Sequence, residues 1–516
     1  MHPTKFLRSA FVALAGLTLG IARADVSLHS LFTDHAVLQQ GRPVPVWGRA
    51  ADGETVTVEF AGQSVTTVAQ NGRWSVRLKP LKATAEGRNL EVRGRNTVVL
   101  TDVVVGEVWI CSGQSNMEWS MAASFEPAAD IAASANPNLR LFTVTKRRSP
   151  VPQTELNHAP HAWGAASPEA VRRFSAVGYY FGRDLQPALG IPVGLIHTSW
   201  GGSPAEVWMS EEAIKADHLY TRDILDPYVP VKRAHEAALS KWRAAKAAAE
   251  AKGEKFTQGA PGAPWCPAEL YNGMLRPLMP YAIAGAIWYQ GESNAGRAWQ
   301  YRSLFADMIR NWRSDWNQGD FPFLAVQLAP WDKNRKRSIE DITREPGESD
   351  WAELREAQNH ATRVLRNVGV AVITDVGDKD DIHPTQKQPV GSRLALLALR
   401  IGHNHRGPAQ GPVYSSKSFG DGKLILNFNE TAGGLKSLDG ALLTGFAIAG
   451  EDRKWHWAKA EIRGAHQVVV SCPDVPKPVA VRYGWSDFPV VNLANGAGLP
   501  ASPFRTDDWP AITHKP

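Results

Sequence analysis

The sequence contains very little cysteine, no large excess of either charge and no long apolar run beyond its first residues. Three cysteines among 516 residues allow at most one disulfide bridge, so a packed hydrophobic core must stabilise the fold. Past the N-terminus, no segment approaches the length of about 18 apolar residues that a membrane-spanning helix requires. The formal net charge of +6 is small for this length, which argues against a nucleic-acid-binding protein.

The first 24 residues have the pattern of a secretory signal peptide. Lys5 and Arg8 provide a positive start, residues 10–21 form an apolar run, and Ala22-Arg23-Ala24 is a cleavage site of the small-x-small type. Removal of this segment lowers the net charge from +6 to +3. We therefore expect an exported protein, periplasmic or extracellular, that begins at Asp25 and has no membrane anchor.

The patterns of strands and helices divide the rest of the chain into three regions. Residues 25–102 carry short β-rich runs separated by Asp-Gly and Asn-Gly turns, which is typical of a small β-sandwich. Residues 103–406 alternate apolar β-rich runs with helical patterns, which predicts a parallel sheet with helices on both faces and a helical insertion at about 210–270. Residues 407–516 return to β character. The sequence does not decide whether the two terminal β segments form one module or two.

A serine follows the first predicted strand of the middle region. The strand ends near Cys111, which we expect to be a buried free thiol, and Ser115 lies just beyond it at a helix start. The carboxyl ends of parallel strands border the reactive crevice of an α/β sheet, so this hydroxyl could face a substrate and its own N–H a developing oxyanion. Alone, a serine in this position is more often a helix cap.

A histidine on a later loop offers a base for this serine. His383 follows the predicted strand 370–375 within the segment Asp378-Lys-Asp-Asp-Ile-His383-Pro384. A catalytic serine needs an imidazole to accept its proton and a carboxylate to orient the imidazole. Asp380 could turn back onto the ring, with Asp378 and Asp381 as rivals. The alternative is an acidic surface loop without a catalytic role.

Two other strand ends carry candidate donors for an oxyanion hole. Gly201 and Gly202 offer backbone N–H groups that a substrate oxygen can approach closely. Gln290 and Asn294 offer side-chain amides, which are known oxyanion donors. The alternatives are an ordinary turn for the glycines and loop hydrogen bonding for the amides.

Four blocks recur in a fixed order: Gly-Gln-Ser-Asn-Met-Glu-Trp at 113–119, Trp-Gly-Gly-Ser at 200–203, Trp-Tyr-Gln-Gly-Glu-Ser-Asn at 288–294, and Asp-x-x-His-Pro at 380–384. In this order they resemble the sialate O-acetylesterase-like carbohydrate esterases of the SGNH hydrolase superfamily. The resemblance covers about 103–400 and extends more weakly to both flanks. It implies an SGNH-type, flavodoxin-like three-layer sandwich with a five-stranded parallel sheet and accessory β-sandwich segments at the N- and C-terminus.

The same resemblance implies residue roles and an activity. Ser115 matches the nucleophile, His383 the base and Asp380 the acid of an acyl-enzyme mechanism that removes O-acetyl groups from carbohydrates and needs no metal or other cofactor. Gly201 or Gly202 matches the oxyanion glycine. The third block departs from the superfamily's Gly-x-Asn-Asp, so the amide donor stays open. We favour Gln290, which directly follows the strand, over Asn294, and we interpret Glu292 as a charge that orients the loop.

The expected partner is an acetylated oligosaccharide or polysaccharide. Neither the sugar, whether sialic acid or a plant glycan such as xyloglucan or xylan, nor the oligomeric state follows from the sequence. Side chains that could bind it are an arginine suited to a sialate carboxylate and aromatic residues near the blocks, although core packing is an equal alternative for the aromatics. These candidates are Arg297, Trp119, Trp200, Trp208, Trp288, Tyr289, Trp299 and Trp485.

Other functions stay open at this point. A non-catalytic carbohydrate-binding protein could retain a dead hydrolase core, although Ser115, His383 and Asp380 together argue against it. A glycosidase needs two placed carboxylates, which Glu292 and Asp380 could supply. A lipase would need a long apolar lid, which the sequence lacks.

Overall fold

The computed structural model describes residues 25–157, 161–334 and 336–514. The predicted signal peptide lies outside the described residues and stays a prediction. The described chain has a mixed α/β fold, as the sequence predicts. In these residues no helix is both long enough and apolar enough to cross a membrane.

The N-terminal region is built from strands that bury alternate side chains. The strands are β1 (Ser27–Leu28), β2 (Val37–Gln39), β3 (Val44–Arg49), β4 (Thr55–Phe60), β5 (Gln63–Val68), β6 (Arg73–Leu78), β7 (Thr84–Arg93) and β8 (Thr97–Gly113). In β4 and β6 every second side chain is buried, as in a strand with one solvated face. Strands β1, β3 and β6 form one sheet, while β5, β4, β7 and the start of β8 pair in a second.

The middle region alternates strands with helices and short helical turns. Its strands are β9 (Asn136–Thr143), β10 (Gly164–Ala166), β11 (Val193–Ser199), β12 (Gly285–Tyr289), β13 (Phe323–Val326) and β14 (Val368–Ala371). Its α-helices are α1 (Ser115–Glu118), α2 (Ala128–Ala132), α3 (Pro168–Arg173), α4 (Ala176–Leu189), α5 (Glu211–Lys215), α6 (His218–Tyr220), α7 (Asp226–Ala251), α8 (Ala298–Trp316), α9 (Ile339–Thr343), α10 (Asp350–Val364) and α11 (Gln388–His403). Its 3₁₀ or π turns are Met121–Ala123, Ala205–Trp208, Thr221–Leu225, Tyr271–Leu275, Arg276–Leu278 and Glu292–Arg297.

Six of these strands form a parallel sheet in the order β9-β11-β8-β12-β13-β14. The prediction of five strands is wrong by one, because β9 adds a parallel strand beside β11. This strand begins with Asn136-Pro-Asn and contains the buried Arg140, so its sequence lacks the continuous apolar run that marks the others. Without β9, the strands run 2-1-3-4-5 in chain order, which is the flavodoxin-like arrangement.

Helices cover both faces of the parallel sheet. Along β8, Val108 and Ile110 belong to one hydrophobic core, and Trp109 and Cys111 belong to the other. Helices α8 and α10 pack on the first face, and α4 and α11 pack on the second. Strands β11 to β14 are buried along their whole length, as expected for parallel strands between helical layers.

Strand β8 joins the N-terminal region to the parallel sheet. Its first half pairs antiparallel with β7, and its last seven residues pair in parallel with β11. The predicted boundary at 102 therefore falls inside one continuous strand. The limits of the three regions, at 102 and 406, and of the insertion at about 210–270 stay predictions. The longest helix in this segment is α7, none of whose 26 residues is buried.

The C-terminal region forms its own sheets and its own core. Its strands are β15 (Val413–Gly420), β16 (Lys423–Asn429), β17 (Leu435–Ser437), β18 (Phe446–Ala449), β19 (Trp455–Trp457), β20 (Lys459–Arg463), β21 (Gln467–Ser471), β22 (Ala480–Tyr483), β23 (Leu493–Asn495) and β24 (Phe504–Arg505). None of these strands pairs with β1–β8, so the described terminal segments form two separate sets of sheets. The buried Arg355 of α10 donates to the carbonyls of Ser486 and Asp487 and so fixes the C-terminal region to the middle one.

The backbone conformation of Gly113, the last residue of β8, predicts that a side chain at this position destabilises the protein. Its φ is +138°, and a Cβ there would overlap the carbonyl oxygen of Tyr289 in β12. We expect Gly113→Ala to destabilise the protein by about 1–3 kcal/mol from backbone strain, with the overlap adding to this. Gly164→Ala is the control, because Gly164 lies in β10 with no atom near a Cβ. Equal melting temperatures for the two variants in calorimetry would contradict the prediction.

Candidate active site

The turn between β8 and α1 presents Ser115 at the edge of the sheet. β8 ends at Gly113, Gln114 precedes the helix and Ser115 is the first helical residue. The N–H of Gln114 donates to the carbonyl of Tyr289, 2.9 Å away, which fastens the turn to β12. N–H groups in the first turn of a helix have no acceptor within that helix, so the N–H of Ser115 is suited to a negative charge.

The structure brings Ser115 and His383 together. Ser115 Oγ lies 2.9 Å from His383 Nε2, although the two residues are 268 positions apart. The Trp119 indole stacks on the imidazole, with 5.3 Å between ring centres and 16° between ring planes. A hydroxyl therefore lies at hydrogen-bond distance from a base whose ring is held by an aromatic neighbour.

The carboxylate beside His383 belongs to Asp381. Its Oδ1 lies 3.3 Å from His383 Nδ1 and accepts the backbone N–H of His383 at 2.9 Å. The two ring nitrogens thus face a carboxylate and a hydroxyl, which is the arrangement that a serine hydrolase uses to orient its base.

Asp380, which we predicted as the acid, does not face the imidazole. Its carboxylate forms an ion pair with Lys379 and is 61% exposed. The physical reason is local turn geometry, since Asp378 Oδ1 accepts the backbone N–H groups of both Asp380 and Asp381. These bonds bend the loop so that the residue two positions before His383, and not three, meets the ring.

The surroundings of His383 favour its neutral form. Partial burial lowers the pKa of its imidazole below the ordinary value, and the positive charge of Lys387 acts in the same direction. The Asp381 carboxylate opposes both effects. The net lowering keeps the imidazole able to accept a proton at a pH below the ordinary histidine pKa.

Gly201 lies beside Ser115, but its N–H already has an acceptor. A Cβ on Gly201 would lie 3.4 Å from Ser115 Cβ. Its N–H donates to Glu118 Oε2 at 2.7 Å, and the other oxygen of Glu118 lies 2.5 Å from Lys146 Nζ. An oxyanion that used the Gly201 N–H would have to displace this carboxylate. Gly202, with φ of +73°, has the left-handed conformation that favours glycine.

The predicted amide donors are committed to other partners. Gln290 is completely buried; its Nε2 donates to Asn294 Oδ1 at 2.6 Å, and its Oε1 accepts from the Tyr301 hydroxyl at 2.9 Å. Asn294 Nδ2 donates to Glu206 Oε2 at 2.9 Å. Both amides fasten the loop after β12 to its neighbours and neither is bonded towards Ser115. The prediction that one of them faces the oxyanion is therefore not met by this geometry.

Three of the aromatic candidates belong to the core. Trp208, Trp288 and Tyr289 have no exposed surface. The Trp288 ring packs edge-to-face with Trp208 and Trp312. The prediction that Trp288 contacts a sugar is therefore wrong, because β12 is buried on both sides and offers no side chain to solvent.

Trp485 and Arg297 are also engaged elsewhere. Trp485 is buried in the C-terminal region with the guanidinium groups of Arg482 and Arg505 over its ring, so the prediction that it binds the sugar is wrong. Arg297 donates to Glu206 Oε1 at 2.5 Å and to Gln300 Oε1 at 2.9 Å. The guanidinium that we predicted for a sialate carboxylate is thus neutralised by Glu206.

Trp119 and Trp200 are partly exposed aromatics whose main chains bond to the Ser115 turn, Trp119 N–H to the carbonyl of Ser115 and Trp200 N–H to that of Gly113. Trp119 packs on His383, and Trp200 directly precedes Gly201. Lys146 Nζ lies 5.2 Å from the centre of the Trp200 ring, and Trp265 meets this ring edge-to-face at 5.7 Å. Trp265 lies on the loop after α7, and no sequence pattern predicted its contact with Trp200. Trp299 lies on α8, is 39% exposed and contacts the ring of His514.

Sequence reasoning also missed the polar partners of the Ser115 turn. Asn116 and Glu118 lie inside the first block, but their side chains had no assigned role. Lys387 directly precedes α11 and is only 1% exposed, although a lysine side chain is normally solvated. Within the described residues, no group of three or more His, Cys, Asp or Glu side chains is placed to hold a metal ion.

Comparisons with known proteins identify relatives along most of the chain. A family model described as carbohydrate esterase, sialic acid-specific acetylesterase matches residues 105–400. The sialate O-acetylesterase of Rattus norvegicus is 27% identical over 94% of this chain and 94% of its own length. That of Homo sapiens is 26% identical, with 89% and 88% covered. The crystal structure of a carbohydrate acetylesterase from Xanthomonas citri superimposes with a TM-score of 0.79, at 37% identity, over 94% of this chain and all of that one.

The surroundings of His383 predict how the reactivity of Ser115 depends on pH. A protonated imidazole cannot accept the Ser115 proton, so covalent labelling by a sulfonyl fluoride should slow as the pH falls through the pKa of His383. Because that pKa is lowered, the midpoint should lie below the ordinary value of 6.5. The rate of labelling at Ser115, followed by mass spectrometry between about pH 4 and 8, measures it. A midpoint above 6.5, or a flat profile, would contradict the prediction.

Proposed function

Because the chain belongs to the carbohydrate esterase family of sialic acid-specific acetylesterases, and is thus a carbohydrate O-acetylesterase, we propose that it is an exported serine esterase with Ser115 as nucleophile and His383 as base. The observation that carries the proposal is the 2.9 Å contact between Ser115 Oγ and His383 Nε2. Export is proposed from the signal-peptide pattern of residues 1–24.

The proposed reaction is acyl transfer in two steps. His383 Nε2 accepts the proton as Ser115 Oγ attacks the acetyl carbonyl, and a tetrahedral oxyanion forms. Collapse breaks the bond to the sugar oxygen, which takes the proton from His383 and leaves as a hydroxyl. Water then gives its proton to His383 and attacks the acetyl-enzyme, and acetate leaves as Ser115 regains its proton.

Asp381 is proposed as the acid of the triad. Its position beside His383 Nδ1 holds the tautomer in which Nε2 is free to accept a proton, and its negative charge stabilises the imidazolium that forms. Its second contact, to the backbone N–H of His383, fixes the same ring through the main chain.

The oxyanion is proposed to lie against backbone N–H groups at the start of α1 and at the Gly-Gly turn. Ser115 supplies the first donor, because its N–H has no partner within the helix. Gly201 or Gly202 supplies the second. Gly201 can serve only after the acetyl oxygen has replaced the Glu118 carboxylate at its N–H.

The proposed substrate is an O-acetylated sugar, either a sialic acid or a plant cell-wall glycan such as xyloglucan or xylan. The mammalian relatives are named for sialate, whereas the relative from Xanthomonas citri is named for carbohydrate in general, so both sugar classes stay in the proposal. The pairing of Arg297 with Glu206 removes the one cation that we had assigned to a sialate carboxylate.

The alternative functions receive less support from the geometry. A glycosidase would need Glu292 and Asp380 to flank a glycosidic bond, but Glu292 Oε1 accepts from Asn116 and Asp380 pairs with Lys379. A non-catalytic binding protein would have no reason to keep a serine and a histidine in contact.

Replacement of the nucleophile tests the proposed reaction. Ser115→Ala should lower acetate release from 4-nitrophenyl acetate and from acetylated oligosaccharides at least about 1,000-fold, since no hydroxyl remains to form the acetyl-enzyme. Ser120→Ala, a few residues along the same segment, is the control and should retain activity. NMR across a panel of acetylated sialosides and xylan or xyloglucan fragments identifies the substrate. Activity in Ser115→Ala, or a shortened glycan chain in the product, would contradict the proposal.

The two neighbouring aspartates allow a matched test of the acid. Asp381→Asn should reduce kcat about 100- to 10,000-fold, because an amide no longer holds the productive tautomer or stabilises the imidazolium. Asp380→Asn should change kcat by less than about threefold, because its carboxylate faces Lys379. Steady-state kinetics on an aryl acetate decides between them. The opposite ranking would assign the acid to Asp380.

A further inference from the structure

A buried lysine lies directly behind the nucleophile. Lys387 is 1% exposed and its Nζ donates to Asn116 Oδ1 at 2.5 Å. Asn116, which follows Ser115, has no exposed surface, and its Nδ2 donates to Glu292 Oε1 at 2.6 Å and to the carbonyl of Ile382 at 3.1 Å. One amide thus connects a buried cation, a buried carboxylate and the main chain next to the base.

These bonds join the three segments that carry the site. Asn116 belongs to the turn after β8, Glu292 to the loop after β12, and Lys387 to the loop after β14. Asn116 is adjacent to Ser115 in sequence, and Ile382 is adjacent to His383. The Asn116–Ile382 hydrogen bond therefore holds the nucleophile turn and the base loop in register, and Lys387 fixes the orientation of the amide that makes it.

A charge in this position is costly unless it is compensated. An unpaired buried ammonium loses several kcal/mol of hydration. Lys387 is compensated by Glu292 across Asn116 and by two aromatic faces, with ring centres of Trp119 at 5.7 Å and Tyr289 at 5.4 Å from Nζ. An apolar residue of the same length would need none of these partners, so the ordered hydrogen bond from Lys387 to Asn116 points to a role beyond packing.

The charge of Lys387 acts on the base. The groups that shift the pKa of His383 are its own burial, Asp381 and Lys387. Burial lowers the pKa of Lys387 to about 7, against the raising effect of Glu292 and Asp381. Burial likewise raises the pKa of Glu292, against the Asn116 hydrogen bond and the charge of Lys387. Lys387 therefore carries its charge at the acidic pH where His383 titrates.

We propose that Lys387 is a positioning residue of this esterase: through Asn116 it holds the Ser115 turn against the His383 loop. The proposal rests on the proposed roles of Ser115 and His383. Lys387, Asn116 and Glu292 then position Ser115 and His383, although none of these three side chains touches the reacting atoms.

Three variants separate this role from a purely structural one. Lys387→Met removes the charge and the donor to Asn116 at nearly the same length, Glu292→Gln keeps an acceptor for Asn116 without the charge, and the double variant leaves no unpaired buried charge. The readouts are the melting temperature and kcat/KM on an aryl acetate between about pH 4 and 8. Lys379→Met is the control, because Lys379 lies on the same loop but pairs with Asp380.

Lys387→Met should lower the melting temperature and reduce kcat/KM about 10- to 100-fold. It should also move the acidic limb of the pH profile of kcat/KM up by on the order of half a pH unit, since the cation no longer opposes protonation of His383. Adding Glu292→Gln should recover melting temperature, because the orphaned carboxylate is gone. In this double variant kcat/KM should stay low and the acidic limb should stay at the higher pH, because Glu292 is not among the groups that shift the pKa of His383. Lys379→Met should leave the limb in place.

Two results would overturn the inference. If Lys387→Met keeps the rate and the acidic limb of the parent protein, Lys387 has no positioning role. If the double variant recovers the parent's kcat/KM and acidic limb together with its melting temperature, Lys387 has a purely structural role. Neither result contradicts the proposed function so long as Ser115→Ala is inactive. An active Ser115→Ala would instead contradict the proposed function itself, and with it this inference.

Discussion

The 2.9 Å contact between Ser115 Oγ and His383 Nε2 is the constraint on which the rest of the site depends. The two residues follow β8 and β14, which are three places apart in the sheet and therefore about 14 Å apart at the strand spacing of roughly 4.8 Å. The loop from 372 to 387 must cross the carboxyl ends of β12 and β13 to reach the serine. A loop of that length has to be held by specific bonds, because its free ensemble would rarely place one imidazole within hydrogen-bond distance.

Contacts from inside the loop and from the Ser115 segment hold it in place. Asn116 donates to the Ile382 carbonyl, Asp381 accepts the His383 N–H from within the loop, and Trp119 covers one face of the imidazole. Two of these three contacts come from Asn116 in α1 and from Trp119, which directly follows α1. The short segment that carries Ser115 therefore also helps to position the His383 loop.

Most polar groups of the glycine turn and of the loop after β12 already have hydrogen-bond partners. The side-chain amides of Gln290 and Asn294 bond within their own loop and to Glu206, and the Glu118 carboxylate accepts the N–H of Gly201. Substrate binding must therefore rearrange at least one hydrogen bond if Gly201 is to act. The cations Lys146 and Arg297 are each paired with a glutamate, so neither presents an unpaired positive charge to a substrate.

Periodicity and ordered motifs are local signals, and from them the sequence predicts the mixed α/β fold, the parallel strands other than β9, and the pairing of Ser115 with His383. It missed β9, whose Asn-Pro-Asn start and buried Arg140 obscure the apolar pattern. It assigned the acid by spacing, and three-dimensional turn bonds from Asp378 brought Asp381 to the ring in place of Asp380. Other features depend on contacts with residues that are distant in the chain, so no local pattern could reveal them. They are the burial of Trp288 and Trp485, the hydrogen bonds of Gln290 with Asn294 and Tyr301, and the contact of Lys387 with Asn116.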